Sequence, residues 1–358
     1  MCVFSSPSFD NHELVSFTQD PTTGLKAIIA VHNTNLGPAV GGCRMYPYAS
    51  DGDALEDVLR LSRGMTYKSA LAGLPMGGGK AVIIGDHRTQ KTPALLRSMG
   101  DFIESQGGKY ITAEDSGTGV EDMKVISERT SYVSGVDDNH SHGGDPSPYT
   151  AYGIYCGIQT AIQYKLNKDD LRGVRIAVQG AGAVGRYLTE LLIKGGAEVF
   201  VADINKENLD RTTKFGATAV DVESILGMDV DVFAPCAMGA ILNDQSIPQL
   251  KATIVAGGAN NQLAQQGHGE ILREAGILYA PDFVINAGGI IEIHHQRAGS
   301  AQQSKEHIAK IGNTLLEIFK LSESQNTSTV EIAEQLAESK FQSTAKKLSA
   351  AYSSSNNA

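Results

Sequence analysis

Residues 174–185, which read VRIAVQGAGAVG, decide the fold of the second half of the chain. The first six residues are a short apolar run of strand length. The next six form a GxGxxG motif made of Gly180, Ala181, Gly182, Ala183, Val184 and Gly185. A helical pattern then runs to about Lys194, and a second apolar run follows at residues 198–202. Strand, glycine turn, helix and strand in this order predict a βαβ unit with parallel strands.

Asp203 follows the second strand and completes a dinucleotide-binding pattern. In this pattern the first glycine makes a tight turn, the second lets a pyrophosphate approach the backbone, and the third lets the helix pack on the strand. The acidic residue accepts hydrogen bonds from the adenosine ribose and repels a 2′-phosphate. The sequence therefore predicts a Rossmann-type, doubly wound domain that binds NAD in preference to NADP. The alternative is a domain of this kind that binds another nucleotide or none.

Three further apolar runs of strand length continue the predicted parallel sheet, at residues 231–234, 253–256 and 277–280. Cys236 and Ala237 follow the first of these runs, and we place them with Ile204 in the cofactor site. Cys236 is interpreted as lining that site rather than as a nucleophile. Asn260 belongs to a glycine turn after the next strand, whose amides could contact the substrate or the nicotinamide. A plain turn is the alternative there.

The first third of the chain carries two lysines in a setting suited to proton transfer. Lys68 and Lys80 flank a glycine-rich stretch, residues 73–79, which we predict to be a loop that leaves room for a ligand. An apolar run at residues 81–84 follows as a buried strand. A lysine that is buried beside a second positive charge can act as a base near neutral pH, while its neighbour holds a carboxylate. Two surface lysines are the alternative.

Asp115 is the third candidate for proton transfer. It closes the segment ITAED at residues 111–115 and precedes a Ser-Gly turn. A carboxylate at the end of a strand is well placed for this role. A helix cap or an Asx turn is the alternative.

Composition argues against several other classes of function. The net charge is −10 and no Lys/Arg-rich run occurs, which opposes nucleic-acid binding. No apolar run is long enough to span a membrane, and no signal-peptide pattern is present, so we expect a cytoplasmic protein. We predict no metal site, because the histidines lack partners at ligand spacing. We interpret as surface or loop residues His140, His142, His268, His294 and His295.

Length and pattern predict two α/β domains separated by a cleft. The polar segment at residues 137–148 is the best candidate linker. Residues 1–147 are predicted to form a domain that binds the substrate and builds the oligomer. Residues 148–327 are predicted to form the Rossmann domain, and residues 328–358 a C-terminal helical segment and tail.

Several motifs together resemble the glutamate/leucine/phenylalanine/valine dehydrogenase family, in register from about residue 25 to about residue 295. They are GGCRM at residues 41–45, RGMTYK at 63–68, GGGK at 77–80, TAED at 112–115, PSPYTAYG at 146–153, APCA at 234–237 and ANNQL at 259–263. The last two are most similar to those of leucine dehydrogenases. The resemblance implies reversible, NAD-dependent oxidative deamination of an apolar, branched-chain L-amino acid such as leucine to the 2-oxo acid, ammonia and NADH. It also implies a homo-oligomer, either a dimer or an octamer.

The resemblance implies roles for individual residues. Lys80 acts as the base that activates water, and Asp115 shuttles protons to and from the amine. Thr150 contacts the nicotinamide end of NAD. The groups that bind the substrate carboxylate are Lys68, the backbone of Gly41 and Gly42, and Asn260.

The implied pocket for the substrate side chain consists of Val40, Ala113, Ile291 and His294. Apolar Val40 and Ile291 favour an aliphatic or aromatic side chain and oppose glutamate, which needs a cation. His294 stands where leucine dehydrogenases have a small residue, so it narrows or polarises the pocket. A phenylalanine or tryptophan dehydrogenase is therefore the alternative within this chemistry. Outside it, a catalytically silent NAD-binding regulator would be expected to lack one of the two lysines or the aspartate.

Overall fold

The chain forms two compact units in a computed structural model that describes residues 3–136, 145–237 and 239–355. The first unit consists of the described residues up to Asp145 and from Ala337 onward, and the second is Pro146–Leu336. Most of the predicted linker lies outside the described residues, as do His140 and His142. None of the helices in the described ranges is long and apolar enough to cross a membrane.

The first unit is a five-stranded sheet with helices. Its strands are β1 (Leu14–Asp20), β2 (Leu25–Asn33), β3 (Ala39–Tyr46), β4 (Gly77–Ile84) and β5 (Tyr110–Glu114), and its helices are α1 (Asp51–Leu71), α2 (Pro93–Glu104) and α3 (Val120–Ser127). The strand order is β1-β2-β4-β3-β5. Strands β3, β4 and β5 run parallel, whereas β2 runs antiparallel to both of its neighbours. The carboxyl ends of β3 and β5 therefore meet at one edge of the sheet.

Both faces of this sheet are covered by helices. Ile28 and Ala30 of β2 pack with Leu55 and Val58 of α1. The residues between them on β2 point to the opposite face and belong to a second cluster with α2 and α3. The alternation follows from the two-residue repeat of a strand, so β2 is buried on both faces and reads as a continuous apolar run.

The prediction of a loop at residues 73–79 is wrong for Gly77–Gly79, which are the first residues of β4. A Cβ added to Gly77 would lie 2.1 Å from the Asn33 carbonyl oxygen, and one added to Gly78 would lie 2.1 Å from the Thr66 amide nitrogen. Real side chains do not approach this closely. The glycines therefore make room for β2 and α1, and not for a ligand.

The second unit is a six-stranded parallel sheet. Its strands are β6 (Arg175–Gln179), β7 (Glu198–Ala202), β8 (Thr218–Ala219), β9 (Val232–Pro235), β10 (Ile254–Val255) and β11 (Leu278–Tyr279). The strand order is β11-β10-β9-β6-β7-β8. Its helices are α4 (Ser147–Leu166), α5 (Ala183–Lys194), α6 (Lys206–Thr213), α7 (His268–Glu274), α8 (Asp282–Ile285), α9 (Gly288–Arg297), α10 (Ser304–Ala309) and α11 (Ile311–Gln325). Helix α12 (Thr329–Ser355) begins in this unit and continues in the first.

The predicted fold class is confirmed. The chain connects β6 to β7 and β8 on one side and places β9, β10 and β11 on the other. The strand order therefore reverses between β6 and β9. In open parallel sheets, ligands bind outside the carboxyl ends of the strands at such a switch point.

Candidate active site

The first unit brings a buried lysine and an aspartate together. Lys80 lies in β4 and is 5% exposed, and Asp115 directly follows β5. Lys80 Nζ lies 2.8 Å from Asp115 Oδ2, so the two side chains form a salt bridge. Lys80 lies within β4 and not at the end of a glycine loop, which corrects that part of the prediction. A pair of charges removed from water in this way is a candidate for proton chemistry.

Arg44 of β3 is the second cation on this aspartate. Its Nε donates a hydrogen bond of 2.9 Å to Asp115 Oδ2. Burial raises the pKa of Asp115, but Lys80 and Arg44 outweigh burial and lower the pKa to about 2. Asp115 is therefore a carboxylate at neutral pH.

The two predicted carboxylate-binding glycines lie in β3 against this pair. A Cβ added to Gly41 would lie 1.8 Å from the Gly79 carbonyl oxygen, and one added to Gly42 would lie 2.7 Å from Asp115 Cβ. The Tyr110 hydroxyl donates to the carbonyl oxygens of Gly41 at 2.7 Å and of Gly42 at 3.2 Å. Both positions need glycine so that the neighbouring strands and Asp115 can approach the β3 backbone.

The remaining predicted substrate residues of this unit lie near the same edge or on the adjoining helix. Val40 is 2% exposed in β3, and Ala113 is 6% exposed in β5, where it pairs with Gly42. Lys68 is half-buried in the last turn of α1. This helix packs on β4, the strand that carries Lys80.

The predicted nucleotide turn follows β6. Gly180 has φ +101°, in the left-handed region that favours glycine. A Cβ added to Gly185 would lie 1.9 Å from the Gly180 carbonyl oxygen, so the third glycine of the motif lets α5 pack on the turn. Around Gly182, by contrast, no described atom lies within 4 Å of an added Cβ. The first amides of α5 have no partners within the helix, and such amides bind anions.

Asp203 connects the end of β7 to this turn. Its Oδ2 accepts a hydrogen bond of 2.6 Å from the Ala181 amide, and its Oδ1 accepts one of 2.7 Å from the Asn205 amide. Ile204, next to it, is 94% exposed. A carboxylate and an exposed apolar side chain therefore flank the glycine turn.

Cys236 and Ala237 reach the same turn from the end of β9. The Cys236 amide donates to the Gln179 carbonyl oxygen at 2.7 Å. A Cβ added to Gly180 would lie 2.8 Å from Ala237 Cβ. Burial raises the pKa of Cys236 to about 11, so its side chain is a neutral thiol at pH 7. A neutral thiol is a weak nucleophile, and the role of Cys236 as a lining residue stays a prediction.

The glycine turn after β10 is fixed by two buried amides that sequence reasoning did not assign. Gln262 is fully buried, and its Nε2 donates to the carbonyl oxygens of Gly257 at 2.8 Å and Ala259 at 3.0 Å. Asn286 Nδ2 donates to Asn260 Oδ1 at 2.8 Å. Asn260 itself is exposed. The turn therefore presents Asn260 on a rigid support.

Thr150 and two predicted pocket residues lie on the helices α4 and α9. A Cβ added to Gly289 would lie 2.7 Å from Thr150 Oγ1, so the glycine start of α9 packs on the start of α4. Ile291 is 1% exposed and His294 is half-buried, both on α9. Burial lowers the pKa of His294, and the neighbouring His295 lowers it further. The His294 ring is therefore mostly neutral at pH 7.

The interpretation of the histidines as surface or loop residues is wrong for two of them. His268 is 3% exposed at the start of α7, and its Nδ1 accepts from the Gln265 amide at 2.9 Å. His295 is 7% exposed on α9, and its ring nitrogens lie 3.0 Å from His307 Nδ1 and 2.8 Å from Ser300 Oγ. Local hydrogen bonds explain their burial. Within the described ranges, no group of three or more His, Cys, Asp or Glu residues could hold a metal ion.

Sequence reasoning also missed the side chains that hold Arg44 beside Asp115. Arg44 contacts Asp57, and the Tyr48 hydroxyl donates to the same carboxylate at 2.7 Å. The sequence did contain one signal, because an arginine inside an otherwise apolar strand needs a buried anion as its partner. The position of Asp57 on the helical pattern did not indicate which strand it faces.

A doubly wound sheet with a glycine turn at its switch point, together with a buried lysine–carboxylate pair in a second α/β unit, is typical of two-domain dehydrogenases. The family model described as Glu/Leu/Phe/Val dehydrogenase, dimerisation domain, matches residues 12–132. The model described as Glutamate/Leucine/Phenylalanine/Valine dehydrogenase matches residues 201–352. The chain belongs to this family of amino acid dehydrogenases, which confirms the resemblance seen in its motifs.

Individual relatives are similar over nearly the whole chain. A leucine dehydrogenase from Geobacillus stearothermophilus is 48% identical over 334 residues, which cover 93% of this chain and 91% of the relative. A phenylalanine dehydrogenase from Bacillus thermotolerans is 43% identical over 343 residues, covering 94% and 90%. The crystal structure of L-tryptophan dehydrogenase from Nostoc punctiforme has a TM-score of 0.81 and 42% identity, covering 94% of this chain and 97% of that one.

Proposed function

We propose that this enzyme catalyses the reversible, NAD-dependent oxidative deamination of a branched-chain L-amino acid, with leucine as the main substrate. The products are the 2-oxo acid, ammonia and NADH. The observation that carries the proposal is the buried contact of 2.8 Å between Lys80 Nζ and Asp115 Oδ2. The leucine dehydrogenase at 48% identity supports the choice of substrate.

The reaction needs proton transfers at the substrate nitrogen, at water and at the carbinolamine hydroxyl, and this pair can supply them. When bound, NAD accepts the hydride that leaves the substrate Cα, and the substrate becomes an iminium. Lys80 takes a proton from the water that attacks the iminium carbon. Asp115 takes a proton from the substrate ammonium before the hydride leaves and returns it to the nitrogen of the carbinolamine that water addition forms. As the C–N bond breaks and ammonia leaves, Asp115 takes the proton of the carbinolamine hydroxyl, and the carbonyl of the 2-oxo acid forms. The contact between Lys80 Nζ and Asp115 Oδ2 holds the two proton-transfer groups side by side.

The substrate carboxylate is assigned to Lys68 and to the backbone of Gly41 and Gly42. An ammonium group and backbone amides are the usual partners of a carboxylate. In this unit the side-chain pocket is assigned to Val40 and Ala113, which are both buried and apolar. They favour an aliphatic side chain over a charged one.

In the second unit, the residues assigned to the substrate are Asn260, Ile291 and His294. Asn260 is assigned to the carboxylate, and the other two to the side chain. The neutral His294 ring does not provide the cation that a glutamate side chain needs. The ring adds a polar group to the wall of the pocket, and this group affects which apolar substrate side chains the pocket prefers.

The second unit fits NAD. The open space at Gly182 and the start of α5 suit the pyrophosphate. The Asp203 carboxylate suits the ribose hydroxyls, and the exposed Ile204 suits the adenine face. We assign Cys236 and Ala237 to the lining of the NAD site. Thr150 on α4 is assigned to the contact with the nicotinamide end of NAD.

A homo-oligomer is part of the proposal. The match of residues 12–132 to a dimerisation-domain model supports it. A dimer and an octamer are both compatible with a closed, symmetric assembly. Light scattering of the purified protein separates the two.

The test is a comparison of kcat/KM with NAD for L-leucine, L-valine, L-phenylalanine, L-tryptophan and L-glutamate. We expect leucine to lead and valine to follow within about 10–200-fold, because one methylene is worth about 1–3 kcal/mol. We expect no measurable turnover of glutamate. The similarity to phenylalanine and tryptophan dehydrogenases, at 43% and 42% identity, favours an aromatic substrate as the second candidate. A clear aromatic preference would overturn the choice of leucine.

A further inference from the structure

Asp115 is held at one of its two carboxylate oxygens. Lys80 Nζ lies 2.8 Å and Arg44 Nε lies 2.9 Å from the same atom, Oδ2. For Oδ1, the described residues provide no side-chain hydrogen bond, and one fifth of the side chain is exposed (20%). The two oxygens are therefore not equivalent: one is anchored in the protein, and the other is open to a ligand.

The Arg44 guanidinium is also held by a second carboxylate, that of Asp57. Its terminal nitrogen NH1 donates to Asp57 Oδ2 at 2.8 Å, and the Tyr48 hydroxyl donates to the same oxygen at 2.7 Å. Arg60 binds the other oxygen of Asp57 at 3.1 Å. The side chains of Arg44 and Asp57 are only 20% and 13% exposed. A planar guanidinium can bind two carboxylates with two different nitrogens at once, which an ammonium group does with poorer geometry.

We propose that Arg44 is a positioning residue for the deamination: it anchors Asp115 through Oδ2, so that Oδ1 faces the substrate nitrogen and exchanges the proton. The inference rests on the proposed role of Asp115. Arg44 stays charged under all working conditions, so it cannot relay a proton and acts only through geometry and charge. Asp57 and Tyr48 extend this function by holding Arg44.

The charge of Arg44 also keeps Asp115 ionised. Burial raises the pKa of Asp115, and Lys80 and Arg44 together bring it down to about 2. Loss of Arg44 removes one of these two cations. The pKa of Asp115 therefore rises, and the acidic limb of the pH profile of kcat moves to higher pH.

The experiment compares Arg44→Ala with Arg60→Ala. Arg60 is the matched control, because it also binds Asp57 but is 52% exposed and makes no contact with Asp115. For Arg44→Ala we expect kcat with L-leucine to fall about 100-fold, as for a misplaced catalytic group, while KM and the Kd of NAD stay within about threefold. For Arg60→Ala we expect parent kcat and an unmoved acidic limb.

Chemical rescue separates positioning from a merely structural role. Arg44 lines an open cavity of about 590 Å³ together with Tyr46, Tyr48 and Asp57. Guanidinium chloride at low, non-denaturing concentration can therefore reach the vacated site of Arg44→Ala. We expect it to restore part of kcat in Arg44→Ala and to leave Arg60→Ala unchanged.

Arg44→Lys serves where Arg44→Ala does not fold, since it keeps the charge and much of the volume. We expect about a 10-fold loss of kcat, because an ammonium group does not replace the planar fork. Parent kcat and an unmoved acidic limb in Arg44→Lys, or in a folded Arg44→Ala, would overturn the positioning role. Asp115→Asn keeps the two hypotheses apart. If Asp115→Asn is inactive and the Arg44 variants are normal, only this inference fails, whereas normal turnover in Asp115→Asn rejects the proposed chemistry itself.

Discussion

Each unit carries a glycine-rich run of sequence, and the glycines of the two runs have different surroundings. In β4, an added Cβ at Gly78 would lie 2.1 Å from the Thr66 amide nitrogen, so the space is already filled by protein. After β6, an added Cβ at Gly182 meets no described atom within 4 Å. The first run lets a helix pack on a strand. The second leaves room beside a helix start. Glycine content alone does not distinguish these two cases, whereas the surroundings do.

The largest effect that tests this comparison is expected from Gly78→Ala. The new methyl group must displace α1 from β4, so we expect a loss of about 3 kcal/mol in the free energy of unfolding, or failure to fold. Urea denaturation measures it. Gly64→Ala is the matched control, because Gly64 lies in α1 with no described atom near its added Cβ. We expect Gly64→Ala to be neutral or more stable, by up to about 1 kcal/mol. Equal stability of both variants would contradict the packing role of Gly78.

Gly182→Ala is expected to leave the stability of the protein unchanged and to weaken its binding of NAD. The added methyl group meets open space, so the free energy of unfolding should change by less than about 0.5 kcal/mol. It occupies the place where the pyrophosphate approaches the backbone, so we expect the Kd of NAD to rise about 10-fold. Calorimetric titration with NAD measures this. Gly267→Ala, at another open helix start in the same unit, should bind NAD like the parent. A Gly182→Ala variant that is destabilised but binds NAD like the parent would contradict the open space inferred at Gly182.

A smaller effect is expected from Asp203→Ser. The Asp203 carboxylate accepts hydrogen bonds from the Ala181 and Asn205 amides and lies beside the open turn. Its removal takes away a ribose partner and the repulsion of a 2′-phosphate, so the ratio of kcat/KM for NAD over NADP should fall about fivefold or more. Asp210→Ser, on the exposed side of α6, should keep the parent ratio. An unchanged ratio in Asp203→Ser would remove Asp203 from cofactor selection.

Much of the second unit could be predicted from sequence, because its signals are local. The apolar run, the glycine turn and Asp203 follow one another along the chain, and their spacing fixes the βαβ geometry. The local pattern predicts a loop for the glycines of β4, because the reason for these glycines lies in α1 and β2, which are distant in sequence. The same holds for Asp115. Its position at a strand end could be predicted, but its contacts with Lys80 and Arg44 depend on the order of three parallel strands.

The measurement that tests the central claim most directly is turnover of L-leucine with NAD by Lys80→Ala. Lys124→Ala is the matched control, because Lys124 forms a lysine–carboxylate contact of 2.8 Å with the exposed Glu121 on α3 in the same unit. We expect Lys80→Ala to lose at least about 1,000-fold in kcat while it folds and binds NAD with the parent Kd. We expect Lys124→Ala to keep parent turnover. Turnover by Lys80→Ala within about 10-fold of the parent would contradict the assignment of Lys80 as the base of the reaction.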